Sequence, residues 1–136
     1  MMNQPPIEQA TAVPYRRQGP RLEFCLITTS QGARWGFPKG IIEPGQTPEQ
    51  AALAEALEEA GLRGEIEGQQ LGGYAYTKWN RVLTVRGYLM RVTGEDDHWL
   101  ESDFRRRVWC TLAEALARID RPALQKLLAA AAERLE

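Results

Sequence analysis

The stretch Thr47-Pro48-Glu49-Gln50-Ala51-Ala52-Leu53-Ala54-Glu55-Ala56-Leu57-Glu58-Glu59-Ala60-Gly61 decides how the rest of the chain is read. Thr47 is a good helix N-cap, Pro48 suits the first helical position, and Gln50 completes a Thr-x-x-Gln capping box. The interior is built of strong helix formers, and Gly61 supplies the left-handed stop expected just past a C-terminus. Glu55, Glu58 and Glu59 stand at i, i+3 and i+4, so their carboxylates leave one face within about one turn. Like charges so placed cost an isolated helix roughly a few tenths of a kcal/mol per pair. A hard divalent cation with oxygen ligands would offset that repulsion, and so would simple solvation; the helix alone does not choose between them. Ala51 and Ala52, one turn earlier beneath the glutamates, leave space for a loop or ligand, while Leu53, Leu57 and Ala60 are expected to cover the opposite side and enter the core.

Outward from this helix the chain alternates between strand and turn signals. Ala10 to Arg17 and Leu22 to Thr29 are rich in β-branched and aromatic residues and flank the breaker Gln18-Gly19-Pro20, which predicts a hairpin. Arg34-Trp35-Gly36-Phe37 leads through Pro38-Lys39-Gly40 into the loop Ile41 to Gln46. Gly72 to Lys78 and Arg81 to Val92 read as a second pair of strands about the turn Trp79-Asn80, followed by a polar, acidic loop from Thr93 to Asp103. Arg107 to Cys110 predicts one more strand. Thr111 with Glu114 opens a second capped helix, and Asp120-Arg121-Pro122 breaks the chain before an Ala- and Leu-rich terminal helix whose Leu124, Leu127, Leu128 and Leu135 form a core-facing stripe. Strands around one central helix with helices again at the end indicate an α/β (α+β) sandwich with a mixed sheet, in a single domain from 10 to 136 behind a flexible N-terminal tail at 1–9.

At 136 residues and 43% hydrophobic content the chain can bury a core without disulfides, and leaves no room for a second catalytic domain. The 17 basic and 18 acidic side chains nearly cancel, so no global field draws it to a nucleic-acid polymer or a membrane, and a polyanion must meet a local patch. Arg105-Arg106-Arg107 is too short a run for nucleic-acid recognition and is expected to straddle the start of a strand. Cys25 and Cys110 sit in apolar runs, as buried free thiols in a reducing compartment would. The first residues carry no targeting signal, so a cytoplasmic monomer or homodimer is expected.

Gly40, the Glu43-Pro44-Gly45 turn, the capped helix with Glu55, Glu58 and Glu59, and Gly61-Leu62 together resemble the Nudix box, and the order of elements resembles a Nudix domain over nearly the whole chain. The resemblance implies a Nudix-like α/β/α sandwich and a metal set of Glu55, Glu58, Glu59 and Gly40, with Mg²⁺ as cofactor and Mn²⁺ as a substitute. This sequence departs at two places: Gln46 stands where the family has Glu, and Ala54 where it has an Arg that helps to hold the acidic side chains. The two departures cancel in charge, so the field offered to a cation is kept while Glu55 loses a neighbour that could fix its rotamer. An alternative supporting partner, or a slower enzyme, is expected.

Hydrolysis of a diphosphate needs charge neutralisation on the phosphoryl oxygens, a positioned water and a group to take its proton. Glu58 and Glu59 are the candidate bases within the box, and Glu101, in the acidic loop, is the candidate outside it because related enzymes place such a residue there. Trp35-Gly36-Phe37-Pro38-Lys39-Gly40 is similar to the Pro-Lys-Gly segment of the Nudix branch acting on diadenosine and diphosphoinositol polyphosphates, which implies a phosphate-binding role for Lys39. Arg34, Lys78 and Arg81 are further basic candidates; strand alternation sets Arg86 on the face opposite Arg81. Tyr74, Tyr76 and Trp79 could stack on a base or simply pack, and the lone His98 has no partner suggesting chemistry.

The expectation is thus a hydrolase cleaving a phosphoanhydride in a nucleoside or dinucleoside polyphosphate, or in a nucleoside diphosphate linked to another moiety. A small phosphorylated metabolite is the partner. The alternatives are a diphosphoinositol polyphosphate phosphohydrolase and a catalytically weakened nucleotide sensor, which Gln46 and Ala54 favour and the retained glutamates oppose.

Overall fold

The computed structural model describes residues 4–136. Strands β1 (Ile7–Gln18) and β2 (Arg21–Thr28) form the expected antiparallel hairpin, with Tyr15 opposite Phe24. The short β3 (Trp35–Gly36) pairs with β2 and β4 (Lys39–Ile41) with β1. Helix α1 (Pro48–Ala60) then leads into the long hairpin of β5 (Leu62–Lys78) and β6 (Arg81–Glu95), turned at Trp79 and Asn80, both with positive φ. Strand β7 (Arg107–Cys110) returns to β2, and α2 (Leu112–Arg118) and α3 (Pro122–Arg134) close the chain. β1 runs parallel to β6 while every other pairing is antiparallel, so the seven-stranded sheet is mixed, as expected.

The period of two along each strand sorts side chains into two cores. Ala10, Ala12, Cys25, Ile27, Tyr88 and Met90 face α1, whereas Val13, Tyr15, Phe24, Leu26 and Leu89 face α2 and α3. The result is a helix–sheet–helix sandwich with α1 alone on one face. Leu124, Leu127 and Leu128 enter the second core as their stripe predicts, and Cys25 and Cys110 are free, buried and on opposite faces. Among the described residues no helix is long and apolar enough to cross a membrane.

Four readings change. Ile7 to Gln9, assigned to the tail, already lie in β1, where Ile7 stands opposite Leu83; Met1 to Asn3 of that tail lie outside the described residues. β5 begins at Leu62 and not at Gly72, because a register shift between Glu67 and Gly72, with Gly68 at φ 73°, hides the alternation in a Gly- and Gln-rich segment. β6 runs on to Glu95, so the acidic loop starts later than Thr93. The buried face of α1 is Ala51, Ala52, Ala56 and Ala60, while Leu57 is 37% exposed. Alanine wins over leucine here because Ala10 and Ala12 on β1 let the helix settle close to the sheet.

Candidate active site

Helix α1 has the ends its sequence specifies. Thr47 and Gln50 exchange both capping-box bonds, and Gly61 sits in the left-handed region at φ 65°. Its C-terminal carbonyls are then satisfied from the segment before β7 and from its first residue: the Glu101 N–H donates to the Glu58 carbonyl (3.2 Å), the Trp99 indole to Glu59 (2.8 Å), and Arg107 Nη1 to Ala60 (2.7 Å). This end carries the three glutamates. Glu58 is exposed, Glu55 half-buried and Glu59 buried.

The carboxyl groups of Glu55 and Glu59 are close enough to shift each other's titration. Burial, followed by repulsion from Glu59, Glu58 and Glu101, pushes the Glu55 carboxyl up to about 8. Burial raises Glu59 as well, opposed by the Lys39 backbone N–H, which donates to Oε1 at 3.0 Å, and by Arg105. A Cβ at Gly40 would fall on the Glu55 carboxylate, so the glycine at this position is what lets that side chain lie against β4. Two carboxyls that cannot both ionise comfortably, beside an exposed Glu58 and the Gly40 backbone of β4, form an oxygen-only donor set that suits a hard cation such as Mg²⁺. Among the described residues no three His, Cys, Asp or Glu side chains are already grouped as they would be around a metal ion.

Glu59 is also the point where this cluster meets a cleft of about 690 Å³. That size falls in the range of small-molecule sites. Arg34, Lys39, Lys78, Arg105 and Arg121 line the cleft, and Glu59 is the carboxylate among its lining. Lys39 lies between the two regions: its backbone holds Glu59, while Nζ donates to the Tyr76 hydroxyl at 3.0 Å and lies 4.5 Å from that ring's centroid. Tyr76 donates in turn to Gln9 Oε1 at 2.8 Å. Arg34 reaches Asp120 at 3.0 Å on the rim, and Lys78 lies over the ring of Trp79, a residue 69% exposed.

Of the four expected basic residues, Arg81 is not among the lining; its guanidinium turns to the Pro5 carbonyl because β6 begins there, beyond the cleft's edge. Arg86 pairs with Glu8 on the surface, and His98 is exposed. Gln46 takes no part in the cluster: its Oε1 accepts from the Glu43 N–H, closing the turn before α1. Glu101 reaches the cluster through Arg105.

Sequence reasoning missed three cleft residues. Gln9 was counted in the tail. Arg105 was read only as part of a basic run straddling a strand entry, which β7 starting at Arg107 agrees with. Arg121 was read only as a break before Pro122, yet its Nη2 donates to the Trp35 carbonyl at 3.0 Å, its Nε has no hydrogen-bond partner and lies 3.9 Å from Asp120 Oδ1, and Gly36 lacks the Cβ that would fall 2.7 Å from Nη2. Burial, then Arg34, lowers its pKa. The pairing of Gly36 with an Arg just before a helix-starting proline leaves no mark in local sequence.

The comparisons with known proteins agree on the fold. A model of the NUDIX domain matches residues 6–131. Nudix hydrolase 21, chloroplastic, of Arabidopsis thaliana is 36% identical over 110 residues, covering 76% of this chain and 55% of the relative. Nudix hydrolase 4 of the same plant is 35% identical over 96 residues, covering 69% and 46%, so the chain spans about half the length of these curated relatives. The asymmetrical bis(5'-nucleosyl)-tetraphosphatase of Caenorhabditis elegans is 29% identical over 126 residues, covering 90% of this chain and 91% of the relative. The crystal structure of the C. elegans Ap4A hydrolase superposes with a TM-score of 0.80 at 27% identity, covering 96% of this chain and 99% of that one.

Proposed function

The chain belongs to the NUDIX domain family, and from that membership we propose that it is a Mg²⁺-dependent pyrophosphohydrolase that cleaves a phosphoanhydride in a nucleoside or dinucleoside polyphosphate. The observation that carries the reading is the junction at Glu59, where a cleft lined by basic side chains meets the acidic end of α1. A chain of phosphates lies along Arg34, Lys39 and Lys78, and its scissile linkage falls where the carboxylates are. The C. elegans relative, a tetraphosphatase of similar length, supports a dinucleoside polyphosphate as the first substrate to try.

A divalent cation at Glu55, Glu58, Glu59 and Gly40 would neutralise phosphoryl charge. The remaining steps fall to the protein's own groups. Lys39, with Nζ in the cleft, draws the phosphate chain to the acidic end. A carboxylate of the cluster takes a proton from water; the water oxygen bonds to phosphorus in line as the bridging P–O bond breaks, and the leaving phosphate carries the electron pair away. Tyr74, Tyr76 and Trp79 add aromatic rings to the lining of the cleft, against which a base would stack.

The test is product release from diadenosine polyphosphates, nucleoside triphosphates, nucleotide sugars and a diphosphoinositol phosphate, with Mg²⁺ or with chelator. Glu59→Gln should lower kcat about 100-fold, and Lys39→Ala should raise KM about tenfold while sparing kcat more. Metal-dependent binding without turnover on every compound would sink the hydrolase reading in favour of a sensor.

A further inference from the structure

Ala54 leaves the box without the guanidinium that the resembled pattern places on α1, yet Glu59 is not left without a cation. We infer that Arg105 is a positioning residue for the carboxylate cluster, fixing Glu59 and Glu101 relative to each other from the chain leading into β7 and filling the role that Ala54 leaves open on α1. The inference rests on the hydrolase reading above.

Three nitrogens of Arg105 each have their own partner. Nε donates to Glu101 Oε1 at 2.6 Å, Nη1 donates to the Thr28 carbonyl at 2.9 Å, and Nη2 lies 3.6 Å from Glu59 Oε2. The side chain is only 12% exposed. Its anchor is rigid, because Thr28 and Arg106 exchange two further bonds: Thr28 N–H to the Arg106 carbonyl at 3.0 Å, and Arg106 N–H to Thr28 Oγ1 at 2.9 Å. Glu101 is held a second time through its N–H on the Glu58 carbonyl. A planar fork fixed at Thr28 thus sets the separation and orientation of two carboxylates that arise from different parts of the chain, which a single ammonium could not do. With Oε1 of Glu59 on the Lys39 N–H and Oε2 facing Arg105, the rotamer of Glu59 is determined from both sides.

Charge and geometry predict opposite results when Arg105 is removed. Deleting a cation beside carboxylates strengthens their attraction for a metal ion, whereas deleting the group that orients them weakens metal binding by roughly tenfold or more. The experiment uses the full chain without substrate, titrated with Mn²⁺ and followed by the electron paramagnetic resonance of free Mn²⁺, for wild type, Arg105→Gln and Arg105→Lys, below the melting midpoints of all three. Steady-state kinetics on diadenosine tetraphosphate with Mg²⁺ accompany it. A positioning role requires Mn²⁺ affinity to fall about tenfold in Arg105→Gln and severalfold in Arg105→Lys, which keeps the charge and loses the fork, with kcat reduced and KM held within about twofold. Should Arg105→Gln fail to fold, Arg105→Lys is judged by the same criteria. Unchanged or tighter Mn²⁺ binding overturns the inference alone, as does a rise in KM at constant kcat, which would make Arg105 a substrate contact. A wild-type protein that binds no Mn²⁺ overturns the hydrolase reading with it.

Discussion

The two ends of α1 are stabilised in opposite ways. At the N-terminus the Thr47 and Gln50 side chains accept from each other's backbone N–H, and Pro48 has no N–H to satisfy, all within four residues. At the C-terminus the carbonyls of Glu58, Glu59 and Ala60 are taken up by Glu101, Trp99 and Arg107, which come from beyond the β5–β6 hairpin. The first end is autonomous and carries no chemistry. The second depends on the remainder of the fold and bears the acidic cluster. Making that end a tertiary feature ties the geometry of the carboxylates to completion of the sheet, so the site is assembled only when β7 has docked on β2.

The contrast is tested most severely by Arg107→Met. Arg107 Nη1 donates to the Ala60 and Asp96 carbonyls at 2.7 and 2.9 Å, and its guanidinium lies 4.2 Å from the Trp99 ring centroid. Hydrogen bonds from a charged donor stabilise by roughly 1.5–3 kcal/mol, so a loss of about 3 kcal/mol is expected, read as a lower urea midpoint at unchanged m-value. Turnover should fall with it, because the same segment positions Glu101. A loss below about 1 kcal/mol would mean that this end needs no outside support. Thr47→Ala supplies the matching measurement: about 1 kcal/mol of stability, with kcat and KM unchanged. If Thr47→Ala slowed turnover as much as Arg107→Met, the two ends would not be independent.

The same division explains what could be read in advance. The capping boxes at Thr47 and Thr111, the stop at Gly61 and the Trp79-Asn80 turn act over a few residues, so their types and spacing state the outcome. The three glutamates of α1 were legible for the same reason. Glu59 as the member that enters the cleft was not, since its burial depends on Lys39 and Arg105. Arg105 meets the Thr28 carbonyl across 77 positions, Gln9 meets Tyr76 across 67, and Trp99 meets Glu59 across 40. No local period links such residues. Leu57 was misassigned on a related ground: hydrophobicity favoured it for the core, where Leu53 does pack in part, but the alanines of β1 set how near the helix could come.

The last expected effect is a pH dependence confined to the C-terminal end. Glu55 in the folded, metal-free protein holds its proton up to about pH 8, whereas in the unfolded chain it ionises near its ordinary value of 4.5. The folded state therefore binds more protons between those limits, and by linkage stability falls as pH rises through that window. The contribution of Glu55 is fully present below about 4.5 and lost as pH passes 8; Glu59, raised in the same direction, adds to the trend. Thermal melts in chelator should show Tm declining from pH 5 to pH 8.5. Glu55→Gln should flatten that decline, since an amide has no proton to lose, and Thr47→Ala should shift every Tm down while leaving the slope intact. Mg²⁺ should raise Tm more at pH 8 than at pH 5, because the ionised carboxylates it would bind are disfavoured at the lower pH. A slope that survives Glu55→Gln would move its origin away from this cluster and remove the physical reason for placing a cation there.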